Sequence, residues 1–364
     1  MKLFEILPIL EELAPLAYAE DFDNVGLLVG NPNETINGIL VCHDALENVV
    51  DEAVSKKCNL IVCFHPILFS GLKKITGKNY VERAIVKAIK NDIAIYAVHT
   101  ALDNHQKGVN KIFCDALGLT NTKILIPKEN YIKKLVTYTI PENATSLRDT
   151  LFEAGAGKIG NYEDCSFNSQ GIGTYLGNEN SNPEIGERFE FVENKEIKIE
   201  VTFEKHLESK ILKALFKNHV YEEVAYEIYA LTNKHQNIGL GMIGEFPEAM
   251  NEKQFLSLVK NKMQSGGIRH SAFLNKEIKK VAVLGGSGSF AIKAALQAGA
   301  DAFLTSDLKY HQFYEAEGKL LLADIGHFES ERYTKNYIVD YLKEKITNFA
   351  VVLSEENTNP VQYF

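Results

Sequence analysis

Cysteine is scarce in this 364-residue chain: there are five, an odd number, and no two form a Cys-x-x-Cys pair. That argues against a disulfide framework or a structural zinc knuckle and for a reducing, cytoplasmic setting in which each cysteine is a small buried residue. Long apolar runs are missing too. Nothing approaches the ~20 residues needed to cross a bilayer, so no membrane association is expected. Excess positive charge is absent: the formal net charge is −9, leaving no basic footprint for direct nucleic-acid binding. The amino terminus has helical spacing at Leu3, Ile6, Leu7, Ile9, Leu10 and Leu13, without the basic patch and hydrophobic core of a signal peptide.

What is present is globular. Apolar residues make up 45% of the chain, and its length exceeds one ordinary core, implying two domains or one domain with a large insertion. After a helix in residues 1–19 comes a polar turn at Asp23-Asn24, then a strand (38–42), a helix (46–56) and a strand (60–64) ended by His65-Pro66. A helix (80–90) and a strand (93–98) follow, ended by His99-Thr100-Ala101-Leu102-Asp103. Strands alternating with helices predict a parallel sheet, whose ligands gather at the carboxyl ends of the strands.

The end of the chain reads as a rough copy of this beginning. A strand (280–284), a glycine turn, a helix (290–298) and a strand (302–305) ended by Ser306-Asp307 lead to a strand (320–325) followed by Gly326-His327-Phe328-Glu329-Ser330-Glu331. If a helix starts at Gly326, His327 and Glu331 lie one turn apart on one face. Taken alone, that hexapeptide is equally a helix start whose acids complement the macrodipole. The recurrence changes the balance, because His99 and Asp103 repeat the spacing at the equivalent strand end. Packing the halves together would bring these ends to one cleft, where imidazoles and carboxylates suit zinc, iron, manganese or cobalt better than calcium. Two such cations ~3.5–4 Å apart support hydrolytic chemistry. Asp307 and His311 are candidates for orienting the ligands.

Between the halves, residues 131–234 read strand, helix, strand, strand, helix, strand, the ferredoxin-like order. The predicted fold is therefore α/β, with two pseudo-equivalent halves (1–130 and 235–364) forming the core domain around an inserted α+β domain.

Several stretches together resemble the GTP cyclohydrolase I type 2 homologue family, also called the Ngg-one interacting factor three-like family. They are Asp23-Asn24-Val25-Gly26-Leu27, Phe64-His65-Pro66-Ile67-Leu68-Phe69, His99-Thr100-Ala101-Leu102-Asp103, Gly285-Gly286-Ser287-Gly288, Asp307-Leu308-Lys309-Tyr310-His311 and the hexapeptide from Gly326. Within the insert, Gly155-Ala156-Gly157, Gly160-Asn161-Tyr162, Asn182-Pro183-Glu184-Ile185-Gly186 and Tyr221-Glu222-Glu223 are similar to that family's PII-like insertion. The resemblance implies two divalent cations per chain, a toroidal homohexamer, and His65, Asp103, His327 and Glu331 in the places of metal ligands. One departure stands out. The family pattern has two adjacent histidines before the proline, whereas this chain has Phe64-His65, so either one cation binds weakly or a neighbour such as His99 or a water fills the gap.

The implied activity is metal-dependent hydrolysis of GTP, opening the guanine ring at C8 with release of formate. His99 is the candidate proton shuttle, since imidazole titrates near neutral pH. The glycine turn at Gly285 to Ser289 is a candidate phosphate cradle or simply a tight turn. Alternatives are a dinuclear phosphoesterase or amidohydrolase acting on another small molecule, and a non-catalytic metal-binding adaptor whose insert binds a regulatory partner. His206, His219 and His235 read as surface residues, and Asp23 as an Asx turn.

Overall fold

The computed structural model describes residues 1–364. Helix α1 (Leu3–Leu13) buries Leu3, Ile6, Leu10 and Leu13, the stripe that a 3.6-residue period puts on one face. Strands β1 (Gly26–Val29) and β2 (Ile39–Asp44), helix α2 (Glu47–Ser55), strand β3 (Leu60–His65), helix α3 (Tyr80–Lys90) and strand β4 (Ala94–Ala97) follow. β2, β3 and β4 run parallel, and β1 pairs antiparallel with β4. The parallel strands carry apolar residues on both faces because both faces are covered: β2 and β3 are each buried at five of six positions. Helix α4 (His99–Asp103) begins directly after β4, and α5 (Val109–Leu117) ends at Gly118, whose left-handed φ of 82° closes the helix. Strand β5 (Thr120–Pro127) completes this half of the chain.

Residues Pro127–Gln236 form a compact unit of their own. The elements are β6 (Ile132–Thr139), α6 (Ala144–Glu153), β7 (Ser166–Leu176), β8 (Phe191–Glu204), α7 (Glu208–Asn218) and β9 (Tyr226–Leu231). The sheet order is β7-β8-β6-β9, all antiparallel, so the first and third strands of the unit lie at the centre. That is the ferredoxin-like arrangement. Leu147 and Leu151 of α6 and Ile211 and Leu215 of α7 pack with Leu135, Ile199, Val201 and Phe203 of the sheet.

The second part of the core comprises β10 (Gly239–Asn251), α8 (Glu252–Met263), β11 (Arg269–His270), β12 (Glu277–Ser287), α9 (Ile292–Gln297), β13 (Ala302–Ser306), β14 (Leu321–Asp324), α10 (His327–Glu331), α11 (Thr334–Lys345) and β15 (Val351–Leu353). Here β12, β13 and β14 repeat the parallel order of β2, β3 and β4, and β11 flanks β14 antiparallel as β1 flanks β4. The halves also trade edges. β5, from the first half, joins the second sheet beside β10, and β15, from the second, joins the first beside β2. Residues Met1–Ile126 and Asn237–Phe364 accordingly form one compact unit. No helix is long and apolar enough to cross a membrane.

Candidate metal centre

Each candidate side chain sits where a parallel strand ends. His65 is the last residue of β3; His99 and Asp103 open and close α4 after β4; His327 and Glu331 open and close α10 after β14. Gly326, with φ of 97°, makes the turn that aims α10 back across the strand ends.

His65, His327 and Glu331 come together with their ligand atoms all within 4.8 Å of one another, close enough to hold one metal ion. Glu331 Oε2 lies 3.2 Å from His65 Nε2 and 3.3 Å from His327 Nε2. Glu331 Oε2 and His65 Nε2 are nevertheless buried without a hydrogen-bond partner. Buried polar atoms normally find partners, so converging atoms that lack them mark a place built for something else.

Carboxylates hold the far side of each ring. Asp44 Oδ1 is 2.8 Å from His65 Nδ1, Asp307 Oδ2 is 2.6 Å from His327 Nδ1, and Asp23 Oδ1 is 2.8 Å from His99 Nδ1. This arrangement puts the Nδ1 proton toward the acid and makes Nε2 the nitrogen that becomes an electron-pair donor once its own proton leaves, as carboxylate–histidine–metal triads require. Asp307 adopts a left-handed φ of 58° to reach His327, and Ser287 Oγ donates to the same carboxylate. Asp307→Asn is expected to lower metal affinity about 10–100-fold while the fold persists, measured by competition with a chelating dye.

The imidazoles and carboxylates of the cluster are strongly coupled. Burial opposes charge on His65, but Glu331 and the bond to Asp44 outweigh it and raise its pKa to about 10. Burial likewise opposes charge on His327, and Glu331 and Asp307 raise its pKa to about 11. Glu331 is held well below the usual carboxylate range, its burial overcome by the two imidazoles. Asp23 falls to about 2 through its bonds to His99 and Thr100, again against burial.

Asp103 is only half gathered in. Its Oδ1 is buried and unbonded, and burial with the nearby Glu331 pushes its pKa well above the carboxylate norm. The carboxylate therefore faces the same cluster, yet the set that closes within 4.8 Å is His65, His327 and Glu331 without it. His99 stands beside that set, its ring 5.4 Å from the His65 ring and 5.6 Å from Phe64.

The glycine turn serves the cluster rather than a phosphate. The Gly285 amide donates to Asn110 Oδ1 at 3.0 Å and the Gly286 amide to Ser330 Oγ at 2.9 Å, so two amides of the supposed cradle are already taken. At Gly286, with φ of 70°, a Cβ would stand 2.5 Å from Glu331 Oε1. Gly286→Ala is expected to cost about 1–2 kcal/mol from its left-handed backbone alone. It should also weaken metal binding by displacing the Glu331 carboxylate, both effects being read by calorimetry.

Two residues escaped the sequence reading. His43 and Asp44 end β2, the strand beside β3, and the rule that drew attention to other strand ends applies equally there. Asp23 is more than an Asx turn: besides accepting from the Asn24 amide it binds His99 and Thr100. His311 packs against Tyr310 and Tyr314, with no contact to the cluster. His219 is not a loose surface residue, since Nε2 bonds the Tyr138 carbonyl oxygen at 2.9 Å and Nδ1 accepts from the Tyr221 amide. His206 and His235 both pair with Glu204.

The chain thus falls in the class of doubled α/β proteins, with histidine–carboxylate pairs at matching strand ends and an inserted four-stranded unit. The chain belongs to the Duf34/NIF3 (NGG1p interacting factor 3) family, whose profile matches residues 1–360. It is 37% identical over 365 residues to the GTP cyclohydrolase 1 type 2 homolog of Bacillus subtilis strain 168, covering 99% of this chain and 98% of that protein. The protein of the same name from Halalkalibacterium halodurans is 38% identical over 366 residues, covering 98% of each. A crystal structure of a Bacillus cereus protein related to NIF3 superposes with a TM-score of 0.85 at 35% identity, covering 100% of this chain and 99% of that one.

Proposed function

We propose that the protein binds two transition-type divalent cations per chain, zinc, iron, manganese or cobalt, and is a metal-dependent hydrolase. The carrying observation is the unbonded Glu331 Oε2 facing the Nε2 atoms of His65 and His327, each ring fixed from behind by a carboxylate. His65, His327 and Glu331 would hold one cation, and Asp103, whose Oδ1 is buried and unbonded, would supply an oxygen ligand to the second. When bound, such cations activate a water and polarise a substrate oxygen. Asp23 fixes His99 through Nδ1, leaving Nε2 to pass a proton between solvent and a substrate held beside His65.

The relatives named GTP cyclohydrolase 1 type 2 homolog support GTP as substrate, with hydrolytic ring opening and formate release. Family likeness also supports a homohexamer, which light scattering of the purified protein tests. Metal-reconstituted protein incubated with GTP, with formate and pterin fluorescence followed, tests the activity. Absence of formate at any metal loading sinks that substrate.

A second reading has its own support. Phe64 places a ring without a donor where the family pattern has a histidine, which favours a non-catalytic metal-binding adaptor. Under that reading a panel of nucleotides and esters is inert, while stripping the metal still lowers the melting temperature.

A further inference from the structure

His43 is 2% exposed, and both of its ring nitrogens are buried without a hydrogen-bond partner. An interior polar group left unmet costs about 1–3 kcal/mol, so a doubly unmet imidazole calls for an explanation. No carboxylate stands behind this ring as Asp44, Asp307 and Asp23 stand behind the others. Its neighbours are rings: Phe328 at 5.0 Å, Phe64 at 5.5 Å and His65 at 5.5 Å. The nearest charged atom is Glu331 Oε2, 3.7 Å from His43 Nε2.

That separation is too long for a hydrogen bond. It is within the span of two donors sharing one cation, which at ~2.0–2.2 Å per bond lie at most ~4.4 Å apart. Strand register accounts for the placement. β2 and β3 pair Cys42 with Cys63 and Asp44 with His65, so His43 and Phe64 lie side by side on the same face. Neighbouring strands are only ~4.8 Å apart. An imidazole on β2 therefore reaches the region that the Phe64 side chain borders without offering it a donor.

We propose that His43 is itself a metal ligand in this chain, binding through Nε2 and sharing the cation with Glu331 on the Phe64 side of the cluster. The proposal rests on the metal-binding reading above. Ligation satisfies one of the two unmet nitrogens, and it restores from β2 the donor that Phe64 removes from β3.

The test uses metal-stripped full-length protein titrated with Co2+, reading cation per chain by elemental analysis and ligation by the visible absorption bands. His43→Leu is expected to lose about one equivalent of cation and to change the Co2+ spectrum, with its metal-free melting curve intact. His43→Leu combined with Phe64→His, which returns an imidazole to the adjoining strand, is expected to recover that equivalent. If His43→Leu does not fold, His43→Gln replaces it and is judged by the same readings. Unchanged stoichiometry, affinity and spectrum in a folded His43 variant overturn this proposal and leave the metal reading standing. Wild-type protein that takes up no cation overturns both.

Discussion

Glu331→Gln is expected to abolish metal uptake, with affinity falling by more than the about 10–100-fold that follows loss of a supporting carboxylate. The reason is position: one oxygen of Glu331 lies 3.2 to 3.7 Å from the Nε2 atoms of His65, His327 and His43. The side chain is 4% exposed, so no water substitutes for the lost charge. The metal-free variant should also be less stable. Breaking a fully buried ion pair costs about 3–5 kcal/mol, and here about 2–3 kcal/mol is expected, because Asp44 and Asp307 still face the imidazoles and His327 is partly solvated. Urea denaturation of stripped protein measures the second effect and elemental analysis the first. A variant that keeps its metal would remove Glu331 from the site.

Metal uptake by stripped protein near pH 7 is expected to expel about two protons, so apparent affinity should climb about a hundredfold per pH unit around neutrality. Both protons come from imidazoles, since His65 and His327 titrate at about 10 and about 11 before a cation arrives. Calorimetry in buffers of differing ionisation enthalpy counts them. The stability of the metal-free protein should move the other way. These histidines have folded-state pKa values above the ordinary imidazole value of about 6.5, so the stability they lend is complete below pH 6.5 and is lost as pH rises through about 10 and 11. Glu331 is held well below 4.5, so its share is complete above pH 4.5 and is lost on acidification. Raising the pH from 6.5 toward 10 should therefore lower the denaturation midpoint of stripped protein. Uptake that releases no protons would mean the cation binds elsewhere.

How far the sequence exposed this site depended on the distance over which each signal acts. His99 with Asp103 and His327 with Glu331 are local: four residues apart on short helices after apolar strands, they announce themselves by spacing. The ferredoxin-like order of the insert was legible for the same reason, because its strands and helices alternate cleanly in period. Asp23 acts on a histidine 76 residues away, and nothing near it in sequence marks that reach. His43 lies one residue from the end of a strand whose first four residues are all apolar, so the run reads as core until β3 is placed beside it. The elements overlooked include β1, β5, β10, β11, β15, α5 and α8. β10 begins Gly-Leu-Gly, which weakens the strand pattern, and β15 is only three residues long. Their positions come from tertiary pairing, which local periodicity does not encode.

The exchange of edge strands between the halves has a consequence for biosynthesis. β15 completes the sheet containing His65 only after residues 351–353 have left the ribosome, and Thr358 beyond it donates to Asp44, the acid behind His65. A nascent chain halted after its first half would lack both the closing edge and the partner of that acid. The pocket around His65 is thereby finished only when the last strand has been made, and on the proposed metal-binding reading incomplete products would lack the complete ligand set.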